Sequence, residues 1–226
     1  MEFVEASAGS LLAFTTVVLF VIASIVWMVS RAYQSRLAGA WVVVGFAVWL
    51  GALALLVESG QMQRLPLSGF PLFFGPVVVV WAGLGVSRVG ARVAAATPLA
   101  VLVGFQAFRL PLELVLHSWA TQGTIPESMT WTGQNFDIAS GIIALVAAPF
   151  AARSRAVAWT ANVIGALLLL NVMRVALFSL PLSFGWQVSP PLVIAFHLPY
   201  AFIGPVCVGG ALFGHILLTR RLQMSQ

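Results

Sequence analysis

The sequence predicts an all-α fold: a polytopic bundle of about seven transmembrane helices that forms a single integral membrane domain over residues 1–226. The chain is 61% hydrophobic and only 8% charged, with a mean hydropathy of +1.02, and is therefore far more apolar than a soluble domain. Its apolar runs approach the roughly 20 residues that a helix needs to cross the hydrocarbon core. They also lack the period-two alternation of membrane strands, which favours helices.

Counting apolar runs of this length gives seven predicted spans. They cover about 10–30, 39–57, 70–87, 96–118, 137–152, 157–180 and 192–218. The first is interpreted as an uncleaved span, because the residues before it are acidic where a signal peptide carries positive charge. The predicted connections are short, except for the segment from Ser118 to Phe136.

The arginines predict the orientation of the bundle. All 11 basic residues are arginine. With the N-terminus outside and the C-terminus cytoplasmic, eight of them fall on the inner side, as the positive-inside rule requires. These eight are Arg31, Arg36, Arg88, Arg92, Arg153, Arg155, Arg220 and Arg221. We therefore predict a multi-pass protein of a bacterial inner (plasma) membrane, whose partners are the lipid bilayer and anionic lipids at the cytoplasmic face.

The composition excludes several classes of protein. The lack of lysine excludes a retinal or pyridoxal Schiff base and a Walker-type phosphate loop, since each needs that amine. A single cysteine, Cys207, excludes an internal disulfide and a cysteine metal cluster, and is interpreted as a packing residue. Thinly spread arginines make nucleic acid an unexpected partner. Without an HxxxH or HxxE motif, neither a metal nor another cofactor is predicted.

Polar residues inside the predicted spans indicate a functional site. Each costs a few kcal/mol in the bilayer unless it is paired or hydrated. Arg109, Glu113 and His117 are spaced by four residues and share one helix face, and Pro111 between them predicts a kink. The predicted directions place these residues in the outer half of the membrane with polar residues of three other helices, in a shared cavity. The candidate site residues are Arg109, Glu113, His117, Asn135, Asp137, Asn171, Arg174 and His197.

Each of these residues also has a purely structural interpretation. Arg109 and Glu113 can form a structural ion pair. Asn135 and Asp137 can cap the N-terminus of the fifth span. Asn171 can be a hydrogen-bonding residue between helices.

His215 is interpreted separately from the candidate site. It lies near Arg220 and Arg221, so we expect a cation that snorkels at the cytoplasmic end of the last helix. The inner half of the bundle is then expected to contain almost no buried polar group.

The second half of the chain resembles a known family. The segments Asp137-Ile-Ala-Ser-Gly-Ile and Asn171-Val-Met-Arg174-Val, followed by His197, resemble the exosortase/archaeosortase family of membrane transpeptidases over about residues 135–215. That family has an acidic-x-Cys-Ser-Gly segment, then Asn-x-x-Arg, then a histidine. Its nucleophilic cysteine corresponds to Ala139, whose methyl group cannot form a thioester. The resemblance therefore implies an Arg174 and His197 pair without a nucleophile.

The first functional hypothesis is a binding or accessory protein on this scaffold, without thiol catalysis. Arg174 would hold an anionic group, with His197 and Asp137 as hydrogen-bonding partners. Another membrane protein or a peptide tail is a candidate partner.

Three alternatives stay open. An outward-facing intramembrane enzyme would use Glu113, His117, Asp137 and His197 for acid–base or metal-assisted hydrolysis of a lipid or lipid-linked substrate. A small-solute or proton-coupled transporter would use Arg109, Glu113 and His117 as a relay, and the expected lack of inner polar residues argues against it. A haem would need two facing histidines, which only His117 and His197 could supply.

Overall fold

The structure, a computed structural model, describes residues 3–64 and 70–224. Every regular element in these ranges is helical, which confirms the predicted all-α class. The α-helices are α1 Ala8–Tyr33, α2 Arg36–Glu58, α3 Gln61–Arg64, α4 Phe70–Val86, α5 Arg88–Ala96, α6 Leu99–Phe105, α7 Arg109–Thr121, α8 Ile138–Ala151, α9 Arg155–Ser179 and α10 Gly209–Met224. Short 3-10 turns cover Gln106–Phe108, Glu127–Met129, Ile194–Phe196 and Tyr200–Phe202, and a π-helical turn covers Ile203–Val208.

Five helical segments in the described part of the chain are long and apolar enough to cross a membrane. They are Ala8–Tyr33, Arg36–Glu58, Leu99–Thr121, Arg155–Ser179 and Tyr200–Met224. A sixth results if α4 and α5, which are bent by 62°, count as one span. The apolar helix α8 has only 14 residues and falls below that length. These features suggest a multi-pass membrane protein.

The predicted third span, 70–87, agrees with α4. The helix α5 follows it and begins because the Ser87 side chain accepts hydrogen bonds from the N–H groups of Val89 and Gly90. The predicted start of the last span is wrong. The last long helix begins at Tyr200 instead of residue 192 and runs to Met224. Prolines at 190, 191 and 199 have no N–H to donate, which disfavours an α-helix before that point.

The segment that carries Arg109 changes its helical pitch just before this residue. The 3-10 turn Gln106–Phe108 joins α6 to α7. Pro111 has no N–H for the carbonyl of Ala107, and its ring crowds that carbonyl. Pro111 thus accounts for the local break, which places Arg109 at the first residue of α7.

The helix α10 lies at the centre of the bundle and α2 at its edge. α10 packs against α4, α5, α6 and α9, whereas α2 packs mainly on α1. Within their most apolar stretches, 72% of the span Tyr200–Met224 is buried but only 17% of α2. A polar side chain on the inward face of α10, such as that of His215, therefore lies inside the protein.

Hydrogen bonds between distant segments define the two ends of the bundle. At the N-terminal end, where α1 begins, the Ala6 N–H donates to the Tyr200 hydroxyl over 2.8 Å. At the C-terminal end, where α10 ends, Arg220 Nη1 donates to the carbonyls of Gly85 and Ser87, each over 2.7 Å. The termini thus lie at opposite ends.

Candidate functional site

A buried ion pair between Arg109 and Asp137 forms the centre of the site. Arg109, at the start of α7, is only 1% exposed. Its Nε donates to Asp137 Oδ2 over 2.6 Å, and its Nη2 donates to Oδ1, so the pair is bidentate. The ion-pair partner of Arg109 is therefore Asp137 instead of Glu113. Asp137 is the N-cap residue of α8, but its side chain makes no capping hydrogen bond, because both of its oxygens bond to Arg109.

Asn135 connects the two buried acids. Its Nδ2 donates to Glu113 Oε1 over 2.8 Å and to the Met129 carbonyl over 3.1 Å. Its Oδ1 accepts from the backbone N–H of Asp137 at 3.1 Å. Asn135 thus fixes the loop before α8 against α7.

The network continues through His215 on α10, which is 5% exposed. Arg109 Nη1 lies 3.1 Å from His215 Nε2 and also donates to the Gly165 carbonyl over 2.9 Å. Because a guanidinium can only donate, His215 Nε2 accepts, and its Nδ1 carries the hydrogen. That Nδ1 lies 2.9 Å from Asn162 Oδ1 on α9. The prediction that His215 snorkels as a cation at the helix end is wrong, because it points into the bundle.

Asn162 Nδ2 in turn donates to Thr219 Oγ1 over 2.7 Å. The connected side chains, called the polar chain below, are Glu113, Asn135, Asp137, Arg109, His215, Asn162 and Thr219. Sequence reasoning missed Asn162, Gly165 and Thr219. The signals that could have found them are an asparagine within an apolar helix and the His215–Thr219 spacing of four residues.

A cavity of about 70 Å³ lies beside this network. Arg109, Glu113 and Asp137 are its charged lining residues. The remaining wall is apolar and includes Phe74, Phe108, Met129, Met173, Leu192 and Cys207. The carboxylate atom Glu113 Oε2 is buried and has no hydrogen-bond partner among the described residues. A buried polar atom without a hydrogen-bond partner normally costs about 1–3 kcal/mol of stability.

His117, the third predicted residue of α7, has other neighbours. Its ring stacks on Trp131 with centroids 4.3 Å apart. Its Nδ1 is buried without a hydrogen bond to the described residues. His117 therefore continues the face of Glu113 without joining the polar chain.

Asn171 and Arg174 form a separate surface feature on α9. Arg174 is exposed, and its Nη2 donates to Asn171 Oδ1 over 2.8 Å. Its guanidinium lies 5.3 Å from the centroid of the Trp186 ring. Asn171 Nδ2 donates to the Gln134 carbonyl over 2.8 Å. Asn171 thus orients Arg174 on the surface of the bundle.

His197 lies in the irregular segment before the last helix and stacks on Phe3, with centroids 3.7 Å apart. Burial lowers the pKa of the His197 imidazole, and the Glu5 carboxylate opposes this shift. Of the eight predicted residues, the structure thus brings Arg109, Glu113, Asn135 and Asp137 into one network. The other four have the separate neighbours described above.

The structure also places the residues that were considered as nucleophiles. Ala139 lies in the first turn of α8, and the neighbouring Ser140 Oγ is buried without a partner among the described residues. Cys207 is one of the residues that line the cavity. No group of three His, Cys, Asp or Glu side chains in the described ranges could hold a metal ion.

The fold and the site together define the class of this protein: an all-helical, multi-pass membrane protein with a buried network of charged and polar side chains. Comparisons of the chain with protein-family models, with curated proteins and with solved structures found no match. The resemblance to the exosortase/archaeosortase family therefore stays a prediction from the motifs alone.

Proposed function

We propose that this chain is a seven-span binding or accessory protein of a bacterial plasma membrane, built on an exosortase-like scaffold without thiol catalysis. Its N-terminus lies outside, which places Arg174 and the Glu113 end of the polar chain toward the outer face. The seventh crossing is α8, which packs between the candidate span of α6 and that of α9. At 1.5 Å per residue, its 14 residues extend about 21 Å, and the polar loop before it supplies the rest of the crossing.

The observation that carries the proposal is the environment of Arg174. Its guanidinium is exposed and has no carboxylate partner among the described residues. It borders a groove of about 360 Å³ between α4 and α9. The groove is otherwise lined by Phe74, Gly75, Val78, Met173, Ala176, Leu177, Phe178 and Leu180. A cation at the edge of an apolar groove favours a ligand with an anionic group and an apolar chain.

The proposed partners of Arg174 differ from the original hypothesis. Asp137 is bound to Arg109 and cannot also serve a ligand at Arg174. We propose Asn171 as the hydrogen-bonding partner of Arg174 in place of Asp137. Its Oδ1 accepts from both Nε and Nη2 of Arg174 and so orients the guanidinium. Arg174 Nη1 makes no hydrogen bond to the described residues and is therefore the nitrogen that we propose donates to the anion of the ligand.

Binding of dodecanoate to the purified full-length protein tests this proposal, with dodecanol as the uncharged control. We expect R174A to weaken dodecanoate binding about 10- to 100-fold, since a hydrogen bond to a charged group contributes about 1.5–3 kcal/mol. The matched control R153A removes an exposed arginine between α8 and α9, at the C-terminal end, and should bind normally. Equal binding by wild type and R174A, or equal affinity for dodecanol, would contradict the proposal.

The absence of thiol catalysis has its own test. Cys207 is the chain's single thiol and is only 1% exposed. C207A should therefore retain dodecanoate binding and every activity of the protein. A covalent adduct on Cys207, detected by mass spectrometry of the intact protein, would favour the enzyme alternative instead.

A second candidate function is a proton-coupled carrier. The polar chain favours it, because Asn162 and His215 are buried in the half of the bundle that was expected to lack polar groups. Asn162 lies seven residues into α9 from its start, roughly 10 Å from the C-terminal end of the bundle. Vesicles with an internal pH dye would support this candidate if wild type carried protons and H215L did not. A lack of proton movement in wild-type vesicles would exclude it.

A further inference from the structure

The buried network contains two acidic side chains, Glu113 and Asp137, but a single guanidinium to balance them. Arg109 is its one guanidinium, and Asp137 occupies two of its nitrogen atoms. The third nitrogen, Nη1, bonds to the Gly165 carbonyl and His215. Since the ring of His215 accepts from Arg109, it contributes no positive charge. Glu113 therefore has no cationic partner within the network.

The unpaired oxygen of Glu113 marks the cavity as a place for a hydrogen-bond donor. Glu113 is 1% exposed, and Asn135 satisfies Oε1 only. Oε2 has no partner among the described residues, although Glu113 lines the 70 Å³ cavity. A donor in that cavity would complete the hydrogen bonding of the carboxylate, and a cationic donor would also balance its charge.

The walls of the cavity distinguish between kinds of cation. A bare metal ion such as Ca²⁺ or Mg²⁺ needs about six oxygen ligands, and this lining is largely apolar. Phe74 and Phe108 present aromatic rings, and Met129 and Met173 present thioethers. Aromatic walls beside a carboxylate are suited to an ammonium group that carries an alkyl substituent.

The volume limits the size of that group. An apolar cavity of about 150 Å³ holds benzene. A cavity of about 70 Å³ accommodates a group of a few heavy atoms. A methylammonium-sized group fits this limit, whereas a bulky quaternary ammonium exceeds it.

We propose that the cavity between α4, α7, α9 and α10 binds a primary alkylammonium group, with Glu113 Oε2 accepting its N–H. Phe74 and Phe108 contact the alkyl side of the group. Asp137 stays paired with Arg109 and supplies additional negative potential. This site differs from the Arg174 groove, and its occupancy does not depend on an anionic ligand there.

Thermal unfolding of the full-length protein in detergent tests the proposal. The probe is methylammonium chloride, and potassium chloride at equal concentration controls for ionic strength. At ten times its Kd, methylammonium should raise the wild-type Tm by about 3–5 °C. E113Q removes the charge of the carboxylate while keeping its shape, and should abolish the shift. The matched control E127Q makes the same change at an exposed glutamate and should keep it.

A cavity-filling variant covers the case in which E113Q does not fold. A195L enlarges a half-buried residue of the cavity wall and leaves the carboxylate intact. It should also abolish the methylammonium shift. An equal shift with potassium, or a shift that persists in folded E113Q or in A195L, would overturn the proposal. So would a wild-type protein that binds neither methylammonium nor phosphatidylethanolamine.

The amine can be free in solution or belong to a lipid head group. Nanodiscs that contain phosphatidylethanolamine, compared with phosphatidylcholine nanodiscs, distinguish the two sources. Glu113-dependent retention of phosphatidylethanolamine in native mass spectrometry would support a lipid amine. A Tm shift with methylammonium alone would support a free amine. The variant R174A should change neither the Tm shift with methylammonium nor the retention of phosphatidylethanolamine. This proposal and the proposed function can therefore fail separately.

Discussion

Arg109 and Arg174 are the same residue type in two different regions of the bundle. Arg109 is 1% exposed and uses its guanidinium nitrogens on Asp137, the Gly165 carbonyl and His215. Arg174 is exposed, and its described partners are Asn171 and the face of Trp186. A buried cation must have its donors satisfied because water is excluded, whereas an exposed cation can leave one free. The buried arginine thus has its donors satisfied within the bundle, whereas the exposed one keeps Nη1 without a described partner, as the proposed function requires.

The two acids of the buried network, Asp137 and Glu113, show the same contrast between a fully bonded and a partly bonded side chain. Asp137 has both oxygens on Arg109, whereas Glu113 has one oxygen on Asn135 and one without a described partner. Asp137 therefore holds α8 against α7, and Glu113 is the acid with capacity for a ligand. The comparison leads to three predictions about stability.

The largest effect is expected from D137A. It leaves the guanidinium of Arg109 buried without its carboxylate, which typically costs 3–5 kcal/mol. We expect a large drop in the midpoint of unfolding by SDS or heat. The double variant R109M/D137L removes both charges and should be closer to wild type than D137A. Near-wild-type stability of D137A would show that Arg109 reaches water.

G165A should have an intermediate effect on the same region. A Cβ at Gly165 would lie 2.7 Å from His215 Cε1 and 3.5 Å from Arg109 Nη1. The ring must therefore shift, and overpacking of this kind costs about 1–3 kcal/mol. The matched control is G51A on α2, where an added Cβ meets nothing within 4 Å. Equal unfolding midpoints for G165A and G51A would mean that His215 is free to move.

The smallest effect on stability is expected from R174A. An exposed charge held by one asparagine and one ring contributes under about 1 kcal/mol. Its unfolding midpoint should therefore stay near that of wild type while dodecanoate binding falls. A loss of stability comparable to that of D137A would show that Arg174 is a structural residue.

The sequence predicted part of the buried network. The spacing of Arg109 and Glu113 placed them on one helix face, and Asn135 and Asp137, at the end of the long connection, were assigned to the same site. The sequence could not predict the ion-pair partner of Arg109, since spacing within one helix cannot show that Arg109 binds an acid outside that helix. His215 was misinterpreted because nearby arginines suggested a surface, although the helix rotation turns its ring inward.

The hydropathy of a helix also failed to predict how deeply the helix is buried. The helix α2 has a hydropathy of 2.4 and is 17% buried, whereas the span Tyr200–Met224 has a hydropathy of 1.9 and is 72% buried. The more apolar helix is the less buried one, because a lipid-facing surface must be apolar all round. A central helix can carry polar groups such as His215, because its neighbours satisfy them.

The sequence by itself determined the helical class, the apolar segments and the presence of charges within them. These properties depend on local composition, and the backbone must satisfy its own hydrogen bonds wherever water is excluded. Only the tertiary structure decided that Asp137 pairs with Arg109, that His215 and Asn162 extend the network, and that Glu113 lines a cavity with one oxygen lacking a described partner. These facts depend on the rotation and packing of α7, α8, α9 and α10 against one another, which residue spacing along one helix does not specify.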